Sequence, residues 1–471
     1  MVSEMLTVKL RRASREDARA PLALPLSDAA AVPAALRAAA EAAGFAGAAG
    51  QTVLLPERGV MLLGTGAARR PLDWEEAGGH AAAAAGEVRR FGIDARGLPP
   101  VAAASLAAGA CLRAWRFNRY RGKPTPGPHR LDLIVDDPEA VVPLWDRASA
   151  GVRGCLLARD LSMEPGNALT TRAFTARLEA LAEYGIAVDV LGRKRLAREG
   201  LGGLLAVGGG SENPPRLAVL RWRGSVAAPP LVFIGKGICF DTGGISIKGA
   251  AGMEAMKADM AGAAACAGAM LALALRRSPA PAIAILALAE NAVGPASYRP
   301  GDVLRMGSGR TVEVIDTDAE GRLVLADALH YAQRFQPGAV LDLATLTGSI
   351  VTALGAHRAG LFGTDERLLA QAQAAGEAVG ELLWPMPIGA RHREDLASAI
   401  ADLKQCASGT RQPDACHAAA FLREFAGGLP WAHLDIAGVD DRAEAVALGP
   451  RGPSGFGARL LDALVAMYFE H

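Results

Sequence analysis

Cysteine and histidine are scarce in this chain of 471 residues, and each scarcity excludes a class of site. Its six cysteines include no Cys-x-x-Cys pair, which excludes a disulfide-stapled secreted framework and a cysteine-rich zinc module. Its eight histidines form no His-Glu-x-x-His segment, so the metal-binding helix of one class of zinc proteases is absent. We predict that the cysteines are reduced core thiols and that the histidines are core or surface residues.

The chain also lacks an excess of charge of one sign and lacks long apolar runs. The net charge of +1 gives no reason to expect nucleic acid or an acidic membrane as a partner. The longest apolar run, residues 261–275, is shorter than the roughly 18 to 20 residues that span a bilayer. The charged N-terminus, with Glu4 and Lys9, lacks the apolar region of a signal peptide. We therefore expect a cytoplasmic protein.

Apolar residues, in contrast, are plentiful and indicate a large core. They make up 51% of the chain, which at this length favours two domains. The Pro/Gly segment 121–130 interrupts the pattern of the first part. We predict an α/β protein with a smaller N-terminal α/β domain, residues 1–155, that serves oligomerisation or regulation. A larger catalytic α/β domain with a central, largely parallel sheet occupies residues 156–471.

Alternation of short apolar runs with helical patterns supports this division. Strands are predicted at 53–55, 60–63, 131–135, 216–222, 231–235, 282–288, 339–344 and 431–436. Helices are predicted at 77–92, 102–117, 137–157, 252–276, 322–335, 414–426 and 455–468.

Residues 311–323 place Asp318, Glu320 and Arg322 two positions apart. In an extended segment such side chains point the same way, so two carboxylates converge on one small volume. The small residues between them leave the backbone open to a ligand. The pattern is typical of a cation site, although a solvated turn with a simple Glu320–Arg322 pair is an equally good interpretation of this motif alone.

A second cluster, in residues 231–262, favours the cation site. A buried strand leads into a glycine-rich loop with Lys236, Asp241 and Lys248, and a helix with Asp259 follows. Only seven of the 50 basic residues are Lys, yet three of the seven lie between positions 236 and 257. An amine can lose its proton and bind a metal, whereas a guanidinium cannot. We interpret Lys257, in a helical pattern, as a surface residue.

Four carboxylates in one place, those of Asp241, Asp259, Asp318 and Glu320, would repel one another strongly unless cations compensated them. Oxygen ligands with one amine, and no Cys/His quartet, indicate a hydrolytic centre with two divalent metals. Composition alone leaves Mg²⁺, Mn²⁺ and Zn²⁺ open.

Together these clusters resemble the leucyl (cytosol) aminopeptidase family of di-zinc metallopeptidases. The resemblance rests on five segments: Arg159–Leu161 with Glu164–Asn167, Gly202–Gly208, Asp316–Leu323, Leu343–Gly348 and His433–Gly438. The chain departs from the family at Asp316, where Asn is usual. If the segment is extended, Asp316 lies on the same side as Asp318 and Glu320, and we expect it to strengthen metal binding.

The resemblance implies a role for each residue of the two clusters. Asp241 and Glu320 bridge two metal ions, Zn²⁺ or Mn²⁺. Lys236 and Asp259 bind one metal, and Asp318 binds the other. A water molecule between the metals attacks the scissile carbonyl, and Lys248 donates to the oxygen that becomes negative. Arg322 holds a bicarbonate that serves as general base.

Substrate and assembly also follow from the resemblance. The substrates are short peptides with a free N-terminus, and the assembly is a homohexamer. Five positions line the pocket for the first residue: Met256, Thr345, Leu346, Gly348 and Ala437. This mostly apolar lining favours Leu or other apolar residues, although each of these residues could equally be simple core. A DNA-binding, regulatory or scaffold role remains the alternative to a peptidase.

Overall fold

The computed structural model describes residues 5–12, 20–409 and 412–470. Its contacts divide the chain into two compact units. Unit 1 comprises Met1–Leu156 and Arg442–Gly452, and unit 2 comprises Leu157–Asp441 and Pro453–His471. The division by sequence, at residue 155, differs from this in assigning residues 442–452 to the second domain.

Unit 1 is built on a six-stranded sheet in the order β1-β6-β5-β2-β4-β3. Its strands are β1 (Thr7–Arg11), β2 (Leu22–Leu26), β3 (Thr52–Leu55), β4 (Val60–Gly64), β5 (Arg90–Asp94) and β6 (Arg130–Ile134). Its helices are α1 (Arg37–Ala42), α2 (Pro71–Ala85) and α3 (Pro100–Ala114), and α4 (Pro138–Met163) continues into unit 2. The described strand pairs are parallel except β3–β4.

Unit 2 is built on an eight-stranded sheet in the order β15-β14-β17-β13-β9-β10-β8-β7. These strands are β7 (Ala187–Leu191), β8 (Arg216–Trp222), β9 (Leu231–Asp241), β10 (Ala282–Asn291), β13 (Ala339–Ala344), β14 (Ala359–Gly363), β15 (Leu383–Pro385) and β17 (Trp431–Asp435). A small sheet contains β11 (Val303–Arg305), β12 (Thr311–Glu313) and β16 (Leu403–Lys404). Two short strands, β18 (Asp441–Arg442) and β19 (Gly452–Pro453), lie near the ends of the segment that groups with unit 1.

The helices of unit 2 connect these strands. They are α5 (Thr171–Glu179), α6 (Arg193–Arg198), α7 (Gly202–Val207), α8 (Ala261–Leu275), α9 (Gly321–Ala332), α10 (Gly348–Leu354), α11 (Glu366–Val379), α12 (Ala390–Glu394), α13 (Asp414–Arg423) and α14 (Ala458–Tyr468). Short 3₁₀ turns include Met253–Ala258, directly before α8.

Four neighbouring strands, β17, β13, β9 and β10, are parallel and form the middle of the large sheet. They are apolar almost throughout and buried along their length, as expected for parallel strands covered on both faces. The antiparallel pairs β10–β8, β8–β7 and β14–β17 lie toward the two edges. The prediction of an α/β protein with a largely parallel central sheet is thus confirmed.

Helix α8 is buried on every side, from Ala261 to Ala274. A Cβ on Gly262 would lie 2.1 Å from the carbonyl oxygen of Leu343, so only glycine allows the helix to approach β13 this closely. The helical stretch Met253–Leu275 is long and apolar enough to cross a membrane, but 89% of its apolar 18-residue window is buried inside the protein. It is the core helix that its composition predicts.

Candidate metal centre

The carboxyl ends of β9 and β13 position the first half of the site. Strand β9 pairs with β13 as far as Gly235 and Leu343 and continues to Asp241, so Lys236 is the first residue of β9 beyond this paired stretch. Asp241 is the last residue of β9, and the loop that follows returns Lys248 toward it. In parallel sheets, ligand sites form at this edge because successive strands bring their ends together there.

Lys236 is the buried centre of one group of oxygens. Its Nζ lies 2.8 Å from Oδ1 of Asp259 and 2.8 Å from Oε1 of Glu320. It also donates a 2.8 Å hydrogen bond to the carbonyl oxygen of Thr345, just after β13. A Cβ on Gly321 would lie 2.7 Å from Cε of Lys236, so glycine at that position makes room for the lysine.

Lys248 is the centre of a second group. Its Nζ lies 2.8 Å from Oδ2 of Asp241 and forms an ion pair with Asp318. The other oxygen of Asp241 accepts hydrogen bonds from the backbone N–H of Gly243 and from the amide of Asn291, both at 2.8 Å. Asp241 is therefore fixed in position from three directions.

The structure brings the predicted ligands together around these two lysines. Asp241, Asp259 and Glu320 each offer an oxygen within 4.8 Å of the others, and all three residues are buried. Lys236 contacts two of the three, and Asp318 reaches the group through Lys248. Although the residues come from two distant stretches of sequence, 231–262 and 311–323, they form one cluster.

The extended conformation predicted for residues 316–320 is wrong. Beyond β12 the chain bends and turns, and Glu320 already has helical torsion angles at the start of α9. Asp316 accepts a 2.9 Å hydrogen bond from the backbone N–H of Asp318, so its carboxylate stabilises the turn. Asp318 and Glu320 therefore converge through a turn, and the expected alternation of strand side chains has no part in it.

The charges of this cluster are not balanced by its own residues. Four carboxylates face two ammonium groups, and burial together with the charges of Glu320 and Asp241 raises the pKa of Asp259 well above its ordinary value. Burial and the Asp241 carboxylate likewise outweigh Lys248 and raise the pKa of Asp318 to about 7. Burial lowers the pKa of Lys236, but the carboxylates of Asp259 and Glu320 hold it above its ordinary range. Added cations would relieve this strain.

A divalent metal fits the donor set that these residues offer. Oδ2 of Asp259 is buried and lacks a hydrogen-bond partner in the described part of the chain. A buried carboxylate oxygen of this kind is costly unless a cation or a donor satisfies it. The remaining donors, carboxylate oxygens and one amine, suit Zn²⁺ or Mn²⁺.

Bicarbonate at Arg322, in contrast, does not fit the contacts of that residue. Arg322 is buried in the first turn of α9, and its Nη2 donates to both carboxylate oxygens of Asp414, at 2.9 and 3.0 Å. Its Nη1 donates to the carbonyl oxygen of Gln405 at 3.1 Å. Among the described contacts only Nε has no partner, and a single N–H cannot hold an anion by two bonds.

The five predicted pocket residues lie in different settings. Thr345 belongs to the cluster itself, because its hydroxyl donates to Asp259 at 2.7 Å. Leu346 packs against the main core, and Ala437 packs against a smaller apolar cluster with Ile350 and Phe362. Two further positions complete the set: Met256 is partly buried in the turn before α8, and Gly348 is exposed at the start of α10.

Several polar residues that support the site were not identified from the sequence. Asn291 links Asp241 to the carbonyl oxygen of Thr317, which also accepts a 2.7 Å hydrogen bond from Tyr298. Asp435 accepts hydrogen bonds from the backbone N–H of Leu346 and from other groups after β13 and β17. Asn291 and Asp435 are polar residues at the ends of buried apolar strands. This position was the feature of the sequence that could have identified them as site residues.

The histidines of unit 2 that the structure describes lie outside the cluster. His433, in β17, is buried and pairs through Nδ1 with Asp342 of β13 at 2.5 Å. Trp431 donates to the same carboxylate, at 2.6 Å. His417 pairs with Asp395, and His330 is partly buried on α9. All six cysteines are buried, as predicted.

Comparison with known proteins adds independent information. The model of a family described as "Cytosol aminopeptidase family, catalytic domain" matches residues 156–462. A probable cytosol aminopeptidase of Brucella anthropi is 42% identical over 454 residues, which cover 92% of this chain and 90% of that protein. A probable cytosol aminopeptidase of Gluconobacter oxydans is 44% identical over 436 residues, with coverage of 90% and 88%.

Among solved structures, the bottromycin maturation enzyme BotP in complex with Mn is similar over nearly the whole length. The TM-score is 0.85 and the sequence identity 35%, and the match covers 94% of this chain and 98% of that one. A second structure of BotP gives a TM-score of 0.84 at 36% identity, with coverage of 95% and 98%. The likeness therefore includes both units.

Proposed function

This chain belongs to the cytosol aminopeptidase family and is a metal-dependent aminopeptidase, and from that premise we propose that it releases apolar N-terminal residues, Leu among them, from short peptides. The observation that carries the proposal is the buried cluster of Asp241, Asp259 and Glu320 around Lys236. Such a cluster costs stability in a folded protein, and a catalytic use explains its presence.

We propose that this cluster holds two divalent cations. Asp241 and Glu320 would bind both ions, Lys236 and Asp259 one of them, and Asp318 the other. When bound, the metals would acidify the attacking water and hold the free α-amine of the substrate. The solved complex of BotP contains Mn, which supports Mn²⁺ beside Zn²⁺ as the metal of this site.

Lys236 and Lys248 have different tasks in this proposal. Lys236 is 3% exposed and its Nζ is enclosed by oxygens. A metal bound by these oxygens would therefore also bind the deprotonated amine of Lys236. Lys248 is on a loop and remains partly exposed. Once cations neutralise Asp241 and Asp318, its ammonium can turn toward the substrate and donate to the carbonyl oxygen as negative charge develops there.

Substrate preference is proposed from the residues beside the cluster. Leu346 directly follows Thr345, which is itself bonded to Asp259, and the N–H groups of Leu346 and Ala437 both donate to Oδ1 of Asp435. With Met256 these residues would form an apolar lining. A pocket with this lining binds a Leu or Met side chain by excluding water. Bicarbonate is left out of the proposal, because Asp414 already occupies the guanidinium of Arg322.

A cytoplasmic location and a homohexamer complete the proposal. The relatives are named cytosol aminopeptidases, which supports the location. The hexamer rests on the resemblance to the family, and static light scattering of the purified protein tests it. A stable and fully active monomer would contradict it. The comparisons do not favour the DNA-binding or scaffold role considered from the sequence.

Hydrolysis of a panel of aminoacyl-p-nitroanilides, with metal content measured on the same sample, tests the function. We expect release of apolar residues, loss of activity on chelation and recovery on addition of Zn²⁺ or Mn²⁺. A matched pair of peptides, one with a free and one with an acetylated N-terminus, provides the control. Equal cleavage of the two peptides would contradict the proposal, because the α-amine would then have no role.

A further inference from the structure

The ion pair between Arg322 and Asp414 holds a carboxylate of this chain at the first turn of α9, the helix that begins next to the proposed ligand Glu320. Arg322 follows Glu320 by two residues and is 2% exposed. Its Nη2 bonds both oxygens of Asp414, whose side chain is 36% exposed. The guanidinium is thus deep in the protein, and the carboxylate that it holds is partly exposed.

The start of α13 is also bonded to the segment that follows β13. The N–H of Ala415, directly after Asp414, donates to Oγ of Ser349 at 2.8 Å. Ser349 follows Gly348 and belongs to the segment after β13 that starts with Thr345. The start of α13 therefore contacts both Arg322, two residues after Glu320, and the segment proposed to bind the first residue of the substrate. From these two contacts we place Asp414 next to the bound substrate.

The described contacts of Arg322 leave it a single N–H, that of Nε, for a second anion. Nη2 donates to both oxygens of Asp414, and Nη1 donates to the carbonyl oxygen of Gln405, so the two terminal nitrogens cannot grip another anion together. The unit charges of the pair cancel, and an incoming anion would be repelled by Asp414 at close range. A free anion would also compete with a carboxylate that the fold holds permanently in place.

We propose that Asp414 is itself the proton-accepting anion held by Arg322, the role that the family resemblance gives to bicarbonate. This inference rests on the proposed aminopeptidase function. As the water oxygen bonds to the peptide carbonyl carbon, one water proton passes to a carboxylate oxygen of Asp414. When the C–N bond breaks, that proton passes to the leaving nitrogen, and the carboxylate is restored. The enzyme consequently works without bicarbonate.

The first experiment needs no variant. Turnover of the zinc-loaded enzyme on Leu-p-nitroanilide is measured in buffer freed of carbon dioxide and again with sodium bicarbonate added. We expect the same kcat in both. Stimulation by bicarbonate would overturn the inference while leaving the proposed function intact. An inactive enzyme in both buffers would contradict the proposed function itself, so the two failures are distinguishable.

The second experiment removes the carboxylate of Asp414 by substitution. Asp414→Ala should lower kcat by about 10²- to 10⁴-fold with little change in KM, and added bicarbonate should restore part of it. The kcat of Asp414→Asn, which keeps the shape of the side chain but cannot accept the proton, should fall by a similar factor. Asp414→Glu should retain more activity than either. Isothermal titration of sodium bicarbonate should give binding heat with the Ala variant and none with the wild-type enzyme.

Asp189→Asn is the matched control, because Asp189 also pairs with an arginine, Arg195, but on the surface of unit 2. Its kcat should equal that of the wild type in either buffer. Metal content is measured for every variant. An Asp414→Ala variant that keeps its metals and its kcat without bicarbonate would show that Asp414 only compensates the charge of Arg322, and would overturn the inference.

Discussion

At the residue scale, the difference between lysine and arginine determines what the centre can bind. Lys236 is enclosed by Asp259, Glu320 and the carbonyl oxygen of Thr345, all at 2.8 Å. An ammonium in this position can give up a proton and leave a nitrogen lone pair for a metal. A guanidinium has no such lone pair and is much wider.

Lys236→Arg should therefore bind about one metal ion fewer than the wild type and lose most activity. Elemental analysis after exhaustive dialysis against Zn²⁺ gives the stoichiometry. Lys194→Arg, the same exchange at an exposed position of α6, is the control and should keep the full metal content. Retention of two ions by the Lys236 variant would remove this residue from the ligand set.

The sequence identified the charged residues of the site but not the contacts between them. Lys236, Asp241, Asp318 and Glu320 stand out because of their spacing and because lysine is rare in the chain. Nothing in the local sequence marks Asp414 as a site residue, because an acidic residue in the first turn of a helix is common. Its pairing with Arg322, 92 positions away, exists only after α9 and α13 have packed.

At the element scale, helix α9 is fixed to its neighbours by a buried carboxylate. Asp327 accepts hydrogen bonds from the backbone N–H of Leu204 in α7 and from that of Gly307, both at 2.9 Å. Because the residue is fully buried, its pKa is raised to about 7 in spite of these bonds. The helix that begins next to Glu320 thus has a titratable group at its midpoint.

This group should make the stability depend on pH with a definite sign. In the unfolded chain the carboxyl has its ordinary pKa near 3.9. Between about pH 4 and pH 7 the folded state holds the proton on Asp327 and the unfolded state does not. The contribution of this proton to the free energy of unfolding is therefore complete below this range and is lost as the pH rises through it. The loss is at most roughly 1.4 kcal/mol per pH unit.

Asp327→Asn removes the titration and keeps a side chain of the same shape. Urea unfolding of both proteins from pH 5 to pH 8 gives the difference in the free energy of unfolding at each pH. We expect the stability of the wild type, relative to the variant, to fall up to about pH 7 and then to level off. Parallel curves over the whole range would contradict the raised pKa of Asp327.

The elements that the sequence predicted well are those with strong, uninterrupted patterns. Strands β8 and β13 have the predicted bounds, and α8 is where its apolar run placed it. The helix predicted at 77–92 ends at Ala85 in the structure, and β5 begins at Arg90. The predicted helix was too long because the alanine run masked the break at Gly86. The turn at 316–320 depends on hydrogen bonds between Thr317 and residues 243–246, which no local pattern contains.

At the scale of the whole molecule, every proposed metal ligand belongs to unit 2. A metal that binds the folded state and not the unfolded chain stabilises it, by about 2.7 kcal/mol when the free metal is at 100 times its dissociation constant. The stabilisation should therefore be confined to the unit that contains the ligands.

Chelation should accordingly change hydrogen exchange in one unit only. After removal of the metal, amides of β9, β13 and α9 should exchange faster, whereas those of the six-stranded sheet of unit 1 should be unchanged. Mass spectrometry of peptides from the loaded and stripped protein measures this, and reloading with Zn²⁺ should reverse it. Equal loss of protection in both sheets would contradict the assignment of the ligands.

The return of residues 442–452 to unit 1 has a consequence for gene design. Within unit 1, this segment packs on α2 so closely that a Cβ on Gly79 would lie 2.0 Å from the carbonyl oxygen of Ala447. No single stop or start codon separates the two units, because any one cut leaves this piece of unit 1 attached to the other product. Dissecting the protein into independently expressed halves requires excision of an internal segment as well as truncation at residue 156.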